Sequence, residues 1–267
     1  MMVKSCNEPI IVRDLVVIYG KDASATVAVQ DLNLRILPGE FVCLLGTTGC
    51  GKSTILNVMA GFVQPTRGSV SVGNRLVVSP GPERGVVFQQ HSLFPWKTVR
   101  GNVEFGLRMR GVPREQRRAV TERYMRSVGL IGSERAYPST LSGGMQQRVG
   151  LVRALANDPS FVLMDEPFGS LDAQTRLMMQ ELLLQIWDEA EKTVVFVTHD
   201  VDEAIFLADR IVVLTARPAT VKEEVAVTLP RPRSYEIVTS AKYVDLKKSL
   251  LELIREETLK SMNSRAR

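Results

Sequence analysis

Gly46-Thr47-Thr48-Gly49-Cys50-Gly51-Lys52-Ser53-Thr54 is the stretch of this chain with the clearest chemical content. Its spacing is G-x-x-x-x-G-K-[ST], and each residue type has a physical task. Glycines let the backbone curl until successive N–H groups face one concavity, and the positive end of a following helix dipole reinforces that anion site. From such a loop Lys52 can reach the β- and γ-phosphates of a nucleotide, while the Ser53 hydroxyl can ligate Mg2+. The bland alternative is a glycine-rich turn before an ordinary helix. Context argues against it: the apolar run Phe41-Val42-Cys43-Leu44-Leu45 reads as a strand before the loop, and Ile55 to Ala60, closed by Gly61, reads as a helix after it. Nucleotide binding is the expectation.

Hydrolysis would need more: a carboxylate near the metal, a group to orient water, and a stabiliser of charge on the departing phosphate. Asp165-Glu166 closes the apolar run Phe161-Val162-Leu163-Met164, the pattern of a buried parallel strand. Neighbouring strand side chains point oppositely, so one carboxylate can face a metal while the next faces water. The same pair also reads as a helix cap before Pro167. Leu141-Ser142-Gly143-Gly144 sets a hydroxyl and two glycines ahead of the apolar helix from Val149 to Ala156. That is a second anion site of the same physical type, or a flexible capped turn. Tyr19, just before Gly20 at a strand end, reads equally as a half-buried sheet aromatic and as a ring that stacks on a base.

The elements that must position these residues alternate in a recognisable way. Ile10-Ile11-Val12, Leu15 to Tyr19, Val27-Ala28-Val29 and Leu32 to Ile36, closed by Pro38-Gly39, predict an antiparallel sheet leading into the loop's strand. A second strand-rich piece covers Gly68 to Gly73, Leu76-Val77-Val78 and Gly85 to Gln89. Beyond Gln89-Gln90-His91-Ser92-Leu93-Phe94-Pro95-Trp96 the period becomes helical over 98–131, and the chain leaves the sheet to build a helical lobe ended by Asn157-Asp158-Pro159. A helix over about 174–190, a strand Thr193 to Thr198 ending in His199-Asp200, and a further helix and strand through Leu214 follow. Alternating strand and helix predicts an α/β fold with a right-handed parallel sheet and ligands at the carboxyl ends of its strands. The tail adds an alternating stretch, Val221 to Leu229, then Pro230-Arg231-Pro232-Arg233 and an amphipathic helix with Tyr243, Leu246, Leu250, Leu253 and Ile254 on one side.

Composition bounds the rest. With 267 residues and 45% hydrophobic content the chain can bury a substantial core, as one large domain or a domain plus a lobe. No apolar run approaches the ~18 residues of a membrane span, and the first residues lack a secretory apolar stretch, which predicts a cytosolic chain. Cys6, Cys43 and Cys50 show no metal-like spacing and read as reduced thiols, Cys43 in a strand core and Cys50 as a small side chain that fits its loop. The net charge of +5 permits an anionic partner without demanding one. Residues 100–126 hold eight arginines against three glutamates, which solvated helix faces explain as well as a binding surface does. No row of aromatics accompanies them, so no nucleic acid is expected.

Taken in chain order, the phosphate loop, Gln89, Leu141-Ser142-Gly143-Gly144, Asp165-Glu166, Leu171-Asp172 and His199 resemble the ATP-binding subunit of the ABC transporters over residues 10–215. The resemblance implies a P-loop NTPase core of the RecA-like kind with an antiparallel β part and an α-helical subdomain. It implies one domain over 1–267: a core of 1–89 and 158–215, a helical subdomain over 90–157, and a C-terminal strand and helix extension over 216–267. Tyr19 would stack on adenine and Gly46 to Thr54 would hold ATP. Asp165, with Ser53 and Gln89, would hold Mg2+. Glu166 would be the catalytic base, assisted by Gln89, Lys52 and His199. Ser142, Gly143 and Gly144 would grip the γ-phosphate from the opposite copy of a homodimer, and Asp172 would lie in the adjoining loop. Thr48, Met145 and Ser170 stand where the family often has Ser, Gln and Ala.

Finer resemblance lies in Gly85 to Gln90, Leu93-Phe94-Pro95-Trp96, Gly101 to Leu107, Asp165 to Gly169 and Leu229 to Arg233, which look like the bacterial importers of nitrate, sulfonates and taurine. That implies membrane-spanning permease subunits, a solute-binding protein outside the membrane, and a peripheral place on the cytosolic face of the plasma membrane. Phe94-Pro95-Trp96 reads either as an apolar tip on which a permease helix docks or, for Trp96, as core. Two other classes compete: a soluble ATPase of the same family acting on nucleic acid or ribosomes, and an exporter cassette.

Overall fold

The computed structural model describes residues 8–89, 92–190 and 192–265, so Cys6, Gln90 and His91 lie outside the described residues. Two compact units emerge, one formed by Pro82–Lys192 and the other by the stretches that end at Gly81 and resume at Thr193. In chain order the elements are β1 (Ile10–Tyr19), β2 (Thr26–Ile36), β3 (Phe41–Leu45), α1 (Lys52–Ala60), β4 (Arg67–Val72) and β5 (Arg75–Leu76). Next come β6 (Arg84–Val87), α2 (Val99–Val103), α3 (Phe105–Met109), α4 (Arg114–Ser127), α5 (Gly143–Leu155), β7 (Phe161–Asp165) and α6 (Ala173–Ala190). The chain closes with β8 (Thr193–Thr198), α7 (Val201–Leu207), β9 (Arg210–Leu214), β10 (Val221–Ala226) and α8 (Ala241–Arg265).

In the discontinuous unit an antiparallel sheet runs in the order β2-β1-β4-β5. The four short runs read from its sequence are two long strands. Register shifts between Val12 and Leu15 mark a bulge, with Asp14 at φ 45 and Asp31 of β2 also at φ 45. Bulges absorb an extra residue and restore the inward face, so the alternation breaks in sequence while the strand continues. Asn33 secures the site by accepting the Asp14 N–H at 3.0 Å. Val78 lies beyond β5 and is 67% exposed, so the strand predicted over Leu76-Val77-Val78 ends before its apolar run does.

The same unit holds strands in the order β10-β9-β3-β8, with β3 parallel to β8 and β9, and β10 antiparallel to β9. Phe41 to Leu45 are all fully buried, as a strand covered on both faces must be. Each such side chain is worth about 1.5–3 kcal/mol of burial. Leu45 pairs with Thr198, so Gly46 and His199 leave neighbouring strands at the same carboxyl end. The tail motif braces this layer. Arg233 donates to the carbonyls of Ile205, Phe206 and Ala208 at the end of α7, and Arg231 donates to the Asp209 carboxylate at 2.7 Å. Cations at a helix C-terminus satisfy its last carbonyls and its dipole.

The other unit contains the parallel pair β6 and β7, with Val87 beside Met164. Its predicted helical stretch is three helices. Gly111, at φ 72, and Pro113 end α3 and start α4, and α4 buries Thr121 and Met125 while Val120 and Tyr124 are half-buried. Buried Asn102 organises the turn before α2. Its side-chain oxygen accepts the Phe94 N–H at 2.8 Å, and its amide donates to the carbonyls of Phe94, Lys97 and Thr98 at 3.1–3.2 Å. Asn102→Ala leaves these backbone groups without that partner and is expected to cost about 1–3 kcal/mol, read from the denaturant midpoint of the full chain.

Candidate functional site

The loop after β3 owes its shape to two glycines that no other residue could replace in place. A Cβ on Gly46 would sit 2.9 Å from the Cys50 sulfur, and one on Gly51 would sit 2.7 Å from the Ala28 carbonyl oxygen and 2.9 Å from Ala219 Cβ. Gly51 also has φ 128, a conformation that side chains oppose. Burial pushes the Cys50 thiol above its ordinary range, so it stays a neutral filler under the loop. Lys52 is the first residue of α1 and only 4% exposed. Its ammonium donates to the carbonyls of Gly46 at 2.8 Å and Thr47 at 3.0 Å, folding back over the loop that precedes it. Thr48, Gly49 and Ser53 face solvent, with Ser53 in the first turn of α1. Tyr19 ends β1 and is 44% exposed, its hydroxyl 3.4 Å from Thr54 Oγ1. The aromatic is therefore neither buried in the sheet nor remote from the loop.

His199 is exposed at the end of β8, and the start of α7 fixes its backbone. Asp200 caps α7 by accepting the N–H groups of Asp202 and Glu203, while Thr198 donates its hydroxyl to buried Glu203 at 2.6 Å. Thr198 and Glu203 were not singled out from sequence. The D-x-x-E spacing from Asp200 to Glu203 is a helix-start signature that could have found the latter.

In the other unit the register of β6 and β7 sets Gln89 and the Asp165-Glu166 pair at adjoining carboxyl ends. The amide nitrogen of Gln89 is 4.0 Å from where a Cβ on Gly169 would stand, and Gly169 N–H donates to the Glu166 carbonyl at 3.2 Å. Asp165 and Glu166 are half-buried, and Glu166 has φ 42. A non-glycine residue in that region is held there by its surroundings, a pattern that gathers at functional sites. Ser142 caps α5 by accepting the Met145 N–H at 3.3 Å. Gly143 has open space around its missing Cβ, while Gly144 approaches the Thr175 methyl. Asp172 accepts the Thr175 N–H at 3.0 Å, and hydrogen bonds from Thr175 hold its carboxyl below the ordinary range.

Residues 29–169 match the family model described as ABC transporter. The chain belongs to the ABC transporter family. It is 48% identical over 251 residues to the ABC transporter ATP-binding protein MJ0412 of Methanocaldococcus jannaschii, covering 94% of this chain and 93% of the relative. It is 44% identical over 245 residues to the nitrate import ATP-binding protein NrtD of Synechocystis sp., covering 90% and 92%. Against the taurine import ATP-binding protein TauB of Yersinia pestis the identity is 49% over 199 residues, covering 74% and 78%. A solved dimeric ATP-binding cassette, MJ0796 bound to ADP and Pi, aligns with TM-score 0.72 at 32% identity over 83% of this chain and 100% of its own.

This ABC protein is accordingly a P-loop nucleotide-binding ATPase of the transport-coupled kind. Among the described residues no helix is long and apolar enough to cross a membrane. Gly51→Ala is expected to weaken ATP binding at least tenfold, about 1.4 kcal/mol, because the new methyl displaces either Ala28 or Ala219 or the loop itself. An ATP titration of the full chain checks it.

Proposed function

We propose that this chain is the ATP-hydrolysing subunit of an importer that moves a small solute such as nitrate, a sulfonate or taurine. The observation that carries the reading is Lys52: a buried ammonium folded onto the carbonyls of its own glycine loop, beside exposed Thr48, Gly49 and Ser53. A buried charge needs oxygen partners, and the phosphates of a nucleotide are the natural addition to those already there. Both named importer relatives support the choice of importer over exporter or nucleic-acid ATPase. Within the arginine-rich stretch Arg117 pairs with half-buried Glu104 and Arg110 donates to the Asn157 carbonyl, so part of its charge is used inside the lobe.

ATP is proposed to lie on Gly46 to Thr54, with Tyr19 against the base. Mg2+ takes one or two carboxylates together with phosphate oxygens and waters. Ser53, Asp165 and Gln89 are proposed as its protein ligands, and the ion would neutralise charge on the phosphates during transfer. Glu166 is proposed to take the proton of the attacking water, His199 and Gln89 to orient that water, and Lys52 to steady the γ-phosphate. Ser142, Gly143 and Gly144 are assigned to the γ-phosphate held by a second copy, with Asp172 beside that contact, so that the working form is a homodimer. The helical subdomain, 90–157, is proposed as the permease side, and 216–267 as an extension of the core 1–89 and 158–215. The dimer would sit on the cytosolic face of the plasma membrane with permease subunits and an external solute-binding protein.

Glu166→Gln tests the chemistry. It is expected to keep ATP affinity and to slow phosphate release by about 100-fold or more, the share of a general base. Turnover near the wild-type rate in the purified variant would remove Glu166 from that role.

The docking surface has its own support. Trp96 is 71% exposed, which sets aside a core role. Its ring lies 5.8 Å from Phe94, and Phe94 lies 4.5 Å from Phe105. Next to them a cavity of about 360 Å3 is lined by Phe94, Phe105, Met109 and Arg153. Trp96→Ala is expected to reduce recovery of permease with this subunit at least tenfold in co-purification, with the melting temperature unmoved.

A further inference from the structure

The C-terminal helix α8 holds none of the residues given roles above, yet it carries a carboxylate that is 1% exposed. Glu257 accepts the Ala216 N–H at 2.8 Å, the Lys260 ammonium at 2.7 Å and the Lys222 ammonium at 2.9 Å. Burial pushes this carboxyl up, but the hydrogen bonds from Lys260, Ala216 and Lys222 outweigh it and hold the group at about 2. Glu257 is therefore an anion throughout the physiological range. A buried ion pair is weak evidence of stabilisation, and its best-attested use is to fix one arrangement of the chain.

What Glu257 fixes is the turn between β9 and β10. That turn closes on itself through Thr215, whose N–H reaches the Thr220 carbonyl at 3.1 Å and whose hydroxyl reaches the Pro218 carbonyl at 2.9 Å. Its far side is sewn to β2: Ala219 N–H donates to the Ala28 carbonyl at 2.9 Å, and Gln30 N–H donates to the Ala219 carbonyl at 3.0 Å. Ala28 and Ala219 are the two residues that leave Gly51 no room for a Cβ. Leu214, at the entrance of the turn, lies 3.4 Å from the corresponding position on Gly46. Both glycines that shape the phosphate loop thus rest against the segment that α8 holds.

We propose that Glu257 is a positioning residue for the nucleotide: from α8 it sets the 215–220 turn, and through Ala219 it sets the backbone of Gly51 and the aim of Lys52. The inference rests on the assignment of Gly46 to Thr54 as the ATP site and adds the C-terminal helix to the parts that tune it. The turn meets the loop at the Ala219 methyl, which stands against Gly51, so a displacement of one is felt by the other, as expected between close-packed groups.

The test uses the full chain, a fluorescent ATP analogue and a thermal melt on each variant. Glu257→Ala removes the acceptor of Ala216 and is expected to raise the dissociation constant at least fivefold. Glu257→Gln keeps an oxygen for that N–H and is expected to bind within twofold of wild type. Lys222→Met breaks the ion pair but leaves the carboxylate on Ala216, so it lowers the melting temperature while binding stays within twofold. Ala219→Gly, which removes the methyl behind Gly51 and leaves α8 intact, is expected to weaken binding and gives a reading should Glu257→Ala not fold. Affinity that follows melting temperature across the set, or unchanged binding by Glu257→Ala or Ala219→Gly, overturns the proposal. Lys52→Ala separates the two levels: binding undiminished there sinks the site assignment itself, and lost binding there with wild-type binding by Glu257→Ala sinks only the role of Glu257.

Discussion

An ammonium group at 4% exposure is the constraint around which the nucleotide end of this protein is arranged. Lys52 is kept there because the carbonyls of Gly46 and Thr47 turn inward to meet it. They can turn inward because Gly46 and Gly51 bring no Cβ into space that Cys50, Ala28 and Ala219 already fill. Those neighbours are fixed in turn by β2, by the fully buried strand β3 and by the turn after β9. A chain of close contacts therefore runs from the core to one charged atom.

The placement of the candidate residues in both units follows strand register. Leu45 beside Thr198 places Gly46 and His199 together, and Val87 beside Met164 does the same for Gln89 and Asp165. The strands are apolar because they are covered on both sides, so polar chemistry can begin only where each strand ends. Asp165 is the last residue of β7, and Glu166 departs from the strand at φ 42. In an extended strand the pair would face opposite ways by pleat alone. With Glu166 in the left-handed region its direction is set instead by the turn that Gly169 closes on its carbonyl. The cap reading before Pro167 is displaced as well, because helix α6 begins later, after Asp172, which takes the capping contact to Thr175.

Much of this was legible because burial and glycine demand leave strong traces. The run Phe41 to Leu45, the glycines of the loop and the carboxylate pair after Phe161 to Met164 state their positions in residue type alone. Other features leave no such trace. The bulges at Asp14 and Asp31 interrupt alternation without ending a strand, so one hairpin read as four runs. The stretch over 98–131 reads as helical throughout, and the breaks at Gly111 and Pro113 divide it into separate helices, the last burying Thr121 and Met125. Arg231, Arg233 and Glu257 are charged residues whose partners are carbonyls, carboxylates and N–H groups far away in sequence, and no local pattern announces a buried charge. The amphipathic reading of α8 found Tyr243 and Leu250 on its buried face but passed over Glu257, one more residue on that same face.

Charge usage shows the same division between surface and structure. The net +5 suggests an anionic partner only while each arginine is counted as surface charge. In the folded chain Arg210 bonds Glu40, Glu224 and the Arg35 carbonyl, Arg231 and Arg233 close the end of α7, and Arg153 lies 5.5 Å over the Phe94 ring. Guanidinium suits such work because its planar fork can satisfy several oxygens at once and stack on an aromatic face. A lysine at Arg233 could not reach three carbonyls from one plane, and α7 would lose the brace that holds its far end while Asp200 holds the near one. His199 is the residue just before that cap, so the tail motif braces the far end of the same short helix whose start follows His199.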